Sequence, residues 1–315
     1  MDIDITAYRI ALVVPCYNEE LTIAKVITDF KAAAPLIHCY VFDNNSSDRT
    51  VEIARHAGAQ VYTVSHQGKG NVVRRMFADV DADIYVMVDG DATYEAEAVK
   101  RLIETLIREN LDMVVGSRVS DSVEAYRPGH RWGNRALTGF VGMIFGQTFN
   151  DMLSGYRVFS RRFVKSFPAH AQGFEIETEL NVHALELRMP VKEIATAYGA
   201  RPAGSSSKLN TYRDGFRILM TIFKLFKAER PMTFYFLGFL ACMGSAIVLA
   251  LPIFSTYLET GLVPRLPTAV LCSALMIISF LSIACGFILD TVTRGRIEAK
   301  RFAYLNTSSY SSRVP

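Results

Sequence analysis

Residues 84–94 read Ile-Tyr-Val-Met-Val-Asp-Gly-Asp-Ala-Thr-Tyr, an apolar run that passes directly into two carboxylates one position apart. A continuous run of this length, β-branched at Ile84, Val86 and Val88 and closed by Asp-Gly, predicts a strand buried on both faces, as in a parallel sheet. Working outward, the same unit of short apolar run, polar loop and helix-period segment recurs from residue 10 to about 116. The further runs are 10–14, 39–42, 60–64 and 113–115. Between them, segment 20–34 places Ile23, Ile27 and Phe30 on one helical face, and segment 95–109 does the same with Val99, Leu102, Ile103 and Leu106. This alternation predicts an α/β fold, a mostly parallel sheet flanked by helices. Ligands in such folds collect beyond the carboxyl ends of the strands, so loops 15–20, 43–50 and 89–94 are expected to converge on one crevice.

The spacing Asp89-Gly90-Asp91 suits a hard divalent cation, Mg²⁺ or Mn²⁺, which takes one or two carboxylates and fills its shell with water and substrate phosphates. An isolated pair of this kind is more often a solvated turn. Here its place at a strand end, with the acidic and amide loop Asp43-Asn44-Asn45-Ser46-Ser47-Asp48 two strands earlier, favours a diphosphate site. Asp48 has a second reading as the cap of a helix starting near Arg49.

The order Pro15-Cys16-Tyr17-Asn18-Glu19-Glu20, then 43–50, then Gly68-Lys69-Gly70, then Asp89-Gly90-Asp91 resembles the inverting family 2 glycosyltransferases of GT-A fold. Gly116-Ser117-Arg118, the segments 151–157 and 173–179, and 201–209 are similar to dolichyl-phosphate mannose synthases and bacterial polyprenyl-phosphate glycosyltransferases. The likeness covers roughly residues 8–230. It implies a nucleotide-sugar donor, UDP- or GDP-linked, and a polyisoprenyl phosphate acceptor. It implies that Pro15, Tyr17, Glu19, Asp43 and Lys69 line the donor nucleotide, that Asp89 and Asp91 hold the metal against its diphosphate, and that Arg118 and Arg131, helped by Arg201, Ser207 and Lys208, grip the acceptor phosphate. The sequence departs from many members at Asn44-Asn45, where Asp-Gly is common, and at Thr93, where some mannose synthases place a glutamine ligand.

A phosphate monoester acceptor is already anionic and needs no catalytic base, while charge on the departing diphosphate is stabilised by a divalent cation. Asp151 then has three readings: it orients an acceptor-binding arginine, lies beside the metal, or, for a hydroxyl acceptor, acts as general base. The first is favoured. Glu177 and Glu179 fall on an expected helix over 175–188, either on a solvated face or in the site.

Hydrophobic residues make up 50% of the 315 and mean hydropathy is +0.19, with the excess beyond residue 230. Stretches 233–254 and 266–289 carry no charged residue and are each long enough to span a bilayer. Basic residues flank the pair (Arg213, Arg217, Lys224, Lys227 and Arg230 before; Arg294, Arg296, Lys300 and Arg301 after), and the loop between holds only Glu259 and Arg265. The expected topology puts both termini in the cytoplasm, as part of a multi-pass inner-membrane protein. Segment 212–228 reads as an interfacial helix or an ordinary amphipathic surface helix. The expected organisation is a catalytic domain over 1–209, a juxtamembrane region over 210–230, two spans within 231–292 and a tail over 293–315. The opening residues lack the features of a secretion signal.

The net charge of +3 and the lack of interleaved basic and aromatic residues exclude a nucleic-acid surface. The five cysteines have no metal-ligand spacing, and neither do His130 and His183. A dinucleotide fingerprint at Gly68 fails because Val73 stands in the third glycine position. A processive synthase would carry a QxxRW segment, whereas Trp132 follows Pro128-Gly129-His130-Arg131. An inactive scaffold of the same fold is disfavoured by the intact Asp89 and Asp91. A homo-oligomer is left open.

Overall fold

The computed structural model describes residues 5–119, 139, 141–142, 149–173, 175–199, 220 and 223–309. Its strands are β1 (Ile10–Cys16), β2 (His38–Asp43), β3 (Gln60–Thr63), β4 (Ile84–Met87), β5 (Met113–Val119), β6 (Arg157–Ser160) and β7 (Val191–Ala197). The helices are α1 (Ile23–Ala33), α2 (Thr50–His56), α3 (Lys69–Asp79), α4 (Ala98–Arg108), α5 (Arg161–Ser166), α6 (Ile176–Glu186), α7 (Pro231–Thr260) and α8 (Leu266–Leu305). The chain divides into a unit of 1–218 with 299–315 and a unit of 219–298.

In the first unit the strands form one sheet in the order β3-β2-β1-β4-β6-β5-β7. The five runs expected from the sequence are all strands, and β1, β2, β3 and β4 pair in parallel. Alternate residues face opposite layers. Leu12, Val14, Val86 and Val158 join Ile27 and Phe30 of α1 and Leu102 and Leu106 of α4 in one core. On the other face Phe77 of α3 meets Tyr85, Phe159 and Phe167 edge-on, with ring centres 5.6–6.2 Å apart.

The strand that positions the site is β6. It lies antiparallel between β4 and β5, with Met87 opposite Arg157 and Ser160 opposite Ile84. Reversal brings the start of β6 beside the end of β4, so the segment 151–156 arrives next to Asp89. Sequence periodicity does not reveal this strand, because it has four residues and opens on an arginine.

The unit of 219–298 contains α7 and most of α8, joined through 261–265. Both helices are long and apolar enough to cross a membrane by length and composition. They pack through Phe239 on Phe280, a Ser282 hydroxyl donated to the Tyr235 carbonyl at 3.0 Å and Gly286 against Met232 and Tyr235. Much of the remainder of their surface is exposed leucine, isoleucine, valine and phenylalanine, as at Leu240, Val248, Leu251, Ile277 and Phe287. Of the segment expected to be amphipathic, 212–219 and 221–222 lie outside the described residues; Phe223 and Phe226 pack on Phe234.

The helix carrying the second apolar stretch does not stop near 289 but runs to Leu305. Its last turns belong to the first unit. There Lys300 pairs with buried Glu186 at 2.5 Å, the Tyr304 hydroxyl donates to Asp112 at 2.8 Å, and the Arg162 guanidinium lies 4.7 Å from the centre of the Tyr304 ring.

Candidate active site

Three loops at the carboxyl ends of β1, β2 and β4 are tied together by side-chain bonds. Asn18, at φ 52°, donates its amide to the Ser46 hydroxyl and accepts from the Ser47 amide. The Glu19 amide donates to Thr50, and the Thr22 hydroxyl to the Gly90 carbonyl at 2.7 Å. Gly90 has no room for a side chain, because a Cβ would stand 2.8 Å from the Cys16 sulfur. The convergence expected from the strand pattern is thus held by hydrogen bonds between neighbouring loops rather than by packing alone.

Of the residues assigned to the donor, Asp43 is buried and accepts from the Ser46 amide. Tyr17 is 37% exposed and presents its ring at the surface. Pro15 is half-buried, and Glu19 accepts from the Thr22 hydroxyl. Asp48 accepts from the amides of Glu20 and Thr50, so it ties the loop and braces the start of α2. Asn44, which the sequence singled out only as a departure, bridges to the 64–68 loop: its amide nitrogen donates to the carbonyls of Val64 and His66 and its oxygen accepts from the Gly68 amide at 2.7 Å. That bond sets the start of α3, where Gly68 takes φ +127° and a Cβ would strike the Gln172 carbonyl.

Lys69, the first residue of α3, reaches the metal-binding candidates. Its Nζ lies 2.5 Å from Asp89 Oδ1 and 2.5 Å from Glu177 Oε1. Burial alone would lower the lysine's pKa, but the two carboxylates outweigh it and hold the pKa well above its ordinary value. Glu177 is only 4% exposed, so it does not lie on a solvated face. Burial pushes its carboxyl up, with Lys69 opposing. Glu179, two residues further along the helix, accepts from the amides of His170 and Ala171 instead.

Asp91 is buried, with Oδ1 accepting from the Thr93 hydroxyl at 2.6 Å. Thr93 therefore orients Asp91 in this structure. Asp89 retains partial exposure, 28% of its side chain. Among the described residues no group of three or more His, Cys, Asp or Glu side chains gathers to hold a metal. The donor set offered is two carboxylates of hard oxygen, which fits Mg²⁺ or Mn²⁺ completed by substrate phosphate and does not fit a closed protein cage.

On the far side of Asp89 the 151–157 segment supplies both a wall and a cation. Gly155 abuts Asp89 so closely that a Cβ would overlap its carboxylate, and the Gly155 amide donates to the Tyr94 hydroxyl at 2.8 Å. Asp151 makes a two-point ion pair with Arg118, Nε to Oδ2 at 2.7 Å and Nη2 to Oδ1 at 2.8 Å. Burial pushes the Asp151 carboxyl up, but the hydrogen bonds and charge of Arg118 leave it below the usual range. A carboxylate committed this way positions an arginine and is a poor general base. Arg118 also lies 5.4 Å from the centre of the Tyr198 ring.

The segment is anchored by its last residue, Arg157. Arg157 is fully buried and donates to the carbonyls of Met152 and Ser154 and to Asn181 Oδ1 on α6. Burial pushes its pKa down to about 10. A buried arginine on a short strand carries no periodic signal, and only its acceptors reveal its work. His183 is a core residue, its pKa pushed down to about 3 by burial and by Lys300. Arg131, Arg201, Ser207 and Lys208 lie outside the described residues.

The sequence profile of glycosyl transferase family 2 matches residues 11–167. Glycosyltransferase AglJ of Haloferax volcanii is 36% identical over 258 residues, 80% of this chain and 82% of that protein. A dolichyl-phosphate hexose transferase of the same organism is 28% identical over 221 residues, 70% of this chain and 95% of the relative. Among solved structures, glucosyl-3-phosphoglycerate synthase from Mycobacterium tuberculosis in complex with Mn²⁺, uridine diphosphate and glucosyl-3-phosphoglycerate aligns with TM-score 0.57 at 23% identity, over 70% of this chain and 80% of that one. The parallel sheet with its inserted antiparallel strand is therefore the GT-A fold, and the chain belongs to glycosyl transferase family 2.

Proposed function

We propose that this protein transfers a sugar from a nucleotide-sugar donor to a polyisoprenyl phosphate, with inversion, at the cytoplasmic face of the inner membrane. The observation that carries the reading is the pairing of Asp151 with Arg118 on the segment that also walls Asp89. It sets an arginine able to receive a phosphate beside carboxylates able to receive a metal-bound diphosphate, and the ion pair argues against Asp151 as a base. An acceptor that arrives as an anion suits such a site. Its phosphate oxygen attacks the anomeric carbon, the bond from that carbon to the donor's diphosphate breaks, and the nucleoside diphosphate leaves with the electron pair. A divalent cation held by Asp89 and Asp91 would supply charge to stabilise that leaving group. Arg118 would orient the acceptor phosphate through guanidinium N–H groups other than the two that hold Asp151, with Arg131, Arg201, Ser207 and Lys208 as further contacts. The apolar helices α7 and α8 support a membrane location suited to a lipid acceptor.

The test is purified full-length protein in detergent with undecaprenyl phosphate, Mn²⁺ or Mg²⁺, and labelled UDP- and GDP-sugars. Label should enter the lipid phosphate in a product that mild acid hydrolyses. Transfer to a hydroxyl-bearing glycan or glycolipid, with none to the lipid phosphate, would refute the acceptor assignment.

A further inference from the structure

We propose that Glu177 is a positioning residue that acts through Lys69 on Asp89, a role that rests on the assignment of Asp89 and Asp91 to the metal. A carboxylate is rarely buried unless a specific partner compensates it. Glu177 is nine-tenths buried or more, it sits in the first turn of α6 where the helix N-terminus favours negative charge, and its Oε1 meets the Lys69 ammonium at 2.5 Å. Its Oε2 is buried and has no hydrogen-bond partner among the described residues.

The distance between Glu177 and Lys69 is set by backbone. The Gly70 amide donates to the Gln172 carbonyl at 3.1 Å, and side chains at Gly68 or Gly70 would run into the backbone of Ala171 and Gln172. The start of α3 is thereby clamped to the segment leading into α6. One turn beyond Glu177, Asn181 donates to the carbonyls of Met152 and Glu177 and accepts from Arg157. The same helix therefore carries the acid that holds Lys69 and anchors the segment whose Gly155 walls Asp89. Asp89 lies between that wall and the ammonium.

This arrangement decides how Asp89 divides its charge. A lysine paired with Asp89 alone would compete with a divalent cation for the carboxylate. With Glu177 sharing the ammonium, Asp89 keeps charge for the metal and Lys69 stays beside the departing diphosphate. The two members of the pair thus affect the metal in opposite directions. Loss of Glu177 turns Lys69 onto Asp89 and weakens metal binding, whereas loss of Lys69 relieves the competition and weakens only nucleotide binding.

The experiment titrates full-length protein with Mn²⁺ at a UDP concentration that saturates each variant, repeated with GDP, reading the free ion by its EPR signal against a protein-free nucleotide blank. Glu177→Gln should weaken Mn²⁺ binding by roughly ten- to a hundredfold, as for other residues that orient a metal ligand. Lys69→Met should bind Mn²⁺ as tightly as the wild type or more tightly, while its affinity for the nucleotide falls. Adding Glu177→Gln to Lys69→Met should change Mn²⁺ binding by less than about threefold, because the route through the lysine is gone. That double variant leaves no unpaired charge at the buried pair, so it decides the question even where Glu177→Gln alone does not fold. An equal loss of Mn²⁺ affinity in the two single variants, or a further tenfold loss in the double, would overturn the role. Wild type that binds no Mn²⁺ with either nucleotide would instead overturn the metal assignment of Asp89 and Asp91.

Discussion

Asp89 is held between the Lys69 ammonium and the bare backbone of Gly155, which leaves no room for a side chain at Gly155. Gly155→Ala should leave a folded protein whose transfer rate is lowered by at least about tenfold, since the added methyl displaces a carboxylate that has to meet the metal within tenths of an ångström. Wild-type kinetics in that variant would remove Gly155 from the site. Asp89→Ala and Asp91→Ala should each abolish transfer without loss of fold; full activity of both in excess chelator would exclude the metal. Asp151→Asn separates the acceptor half. It weakens the grip on Arg118, a charge-assisted contact worth on the order of 1.5–3 kcal/mol, so the apparent constant for lipid phosphate should rise roughly ten- to a hundredfold and the donor constant stay put. Were Asp151 a base, the loss would fall on kcat with a changed pH profile.

At the scale of elements, the end of α8 is built into the catalytic unit. Asp112 at the start of β5 is fully buried and accepts from the Ser160 hydroxyl at 2.6 Å as well as from Tyr304. Burial, reinforced by the Asp112 carboxylate, pushes the Tyr304 phenol up to about 12. Tyr304→Phe keeps the ring under Arg162 but deprives a buried carboxylate of a donor, at about 1–3 kcal/mol, so the thermal midpoint of the catalytic unit should fall by roughly 2–10 °C with little change in either substrate constant. An unchanged midpoint would mean that the last turns of α8 contribute nothing to the unit. The helix pattern in the sequence ends the second apolar stretch near 289 because charge enters at Asp290 and Arg294. The backbone continues, since charged residues one turn apart, as in the Arg294–Asp290 pair at 2.9 Å, are compatible with helix.

For the whole molecule, the proposed orientation follows from basic residues on both flanks of the two apolar helices and their scarcity in the connecting loop. A cysteine placed between residues 256 and 264 should react with an impermeant thiol reagent on intact cells. One at exposed Glu52 should react only after permeabilisation. The reverse pattern would refute a cytoplasmic site.

The sheet, the loops that converge on Asp89 and Asp91, and the two apolar helices were legible in the amino-acid order, because burial on both faces, breaks at strand ends and length in apolar residues are local patterns. Glu177 and Arg157 were not readable in this way. A glutamate on a helix looks the same solvated or buried, and an arginine opening a four-residue strand looks like a surface residue. Their roles depend on partners, Lys69 from 108 positions earlier and Asn181 from 24 later, which only the antiparallel insertion of β6 and the packing of α3 against α6 bring within hydrogen-bond reach.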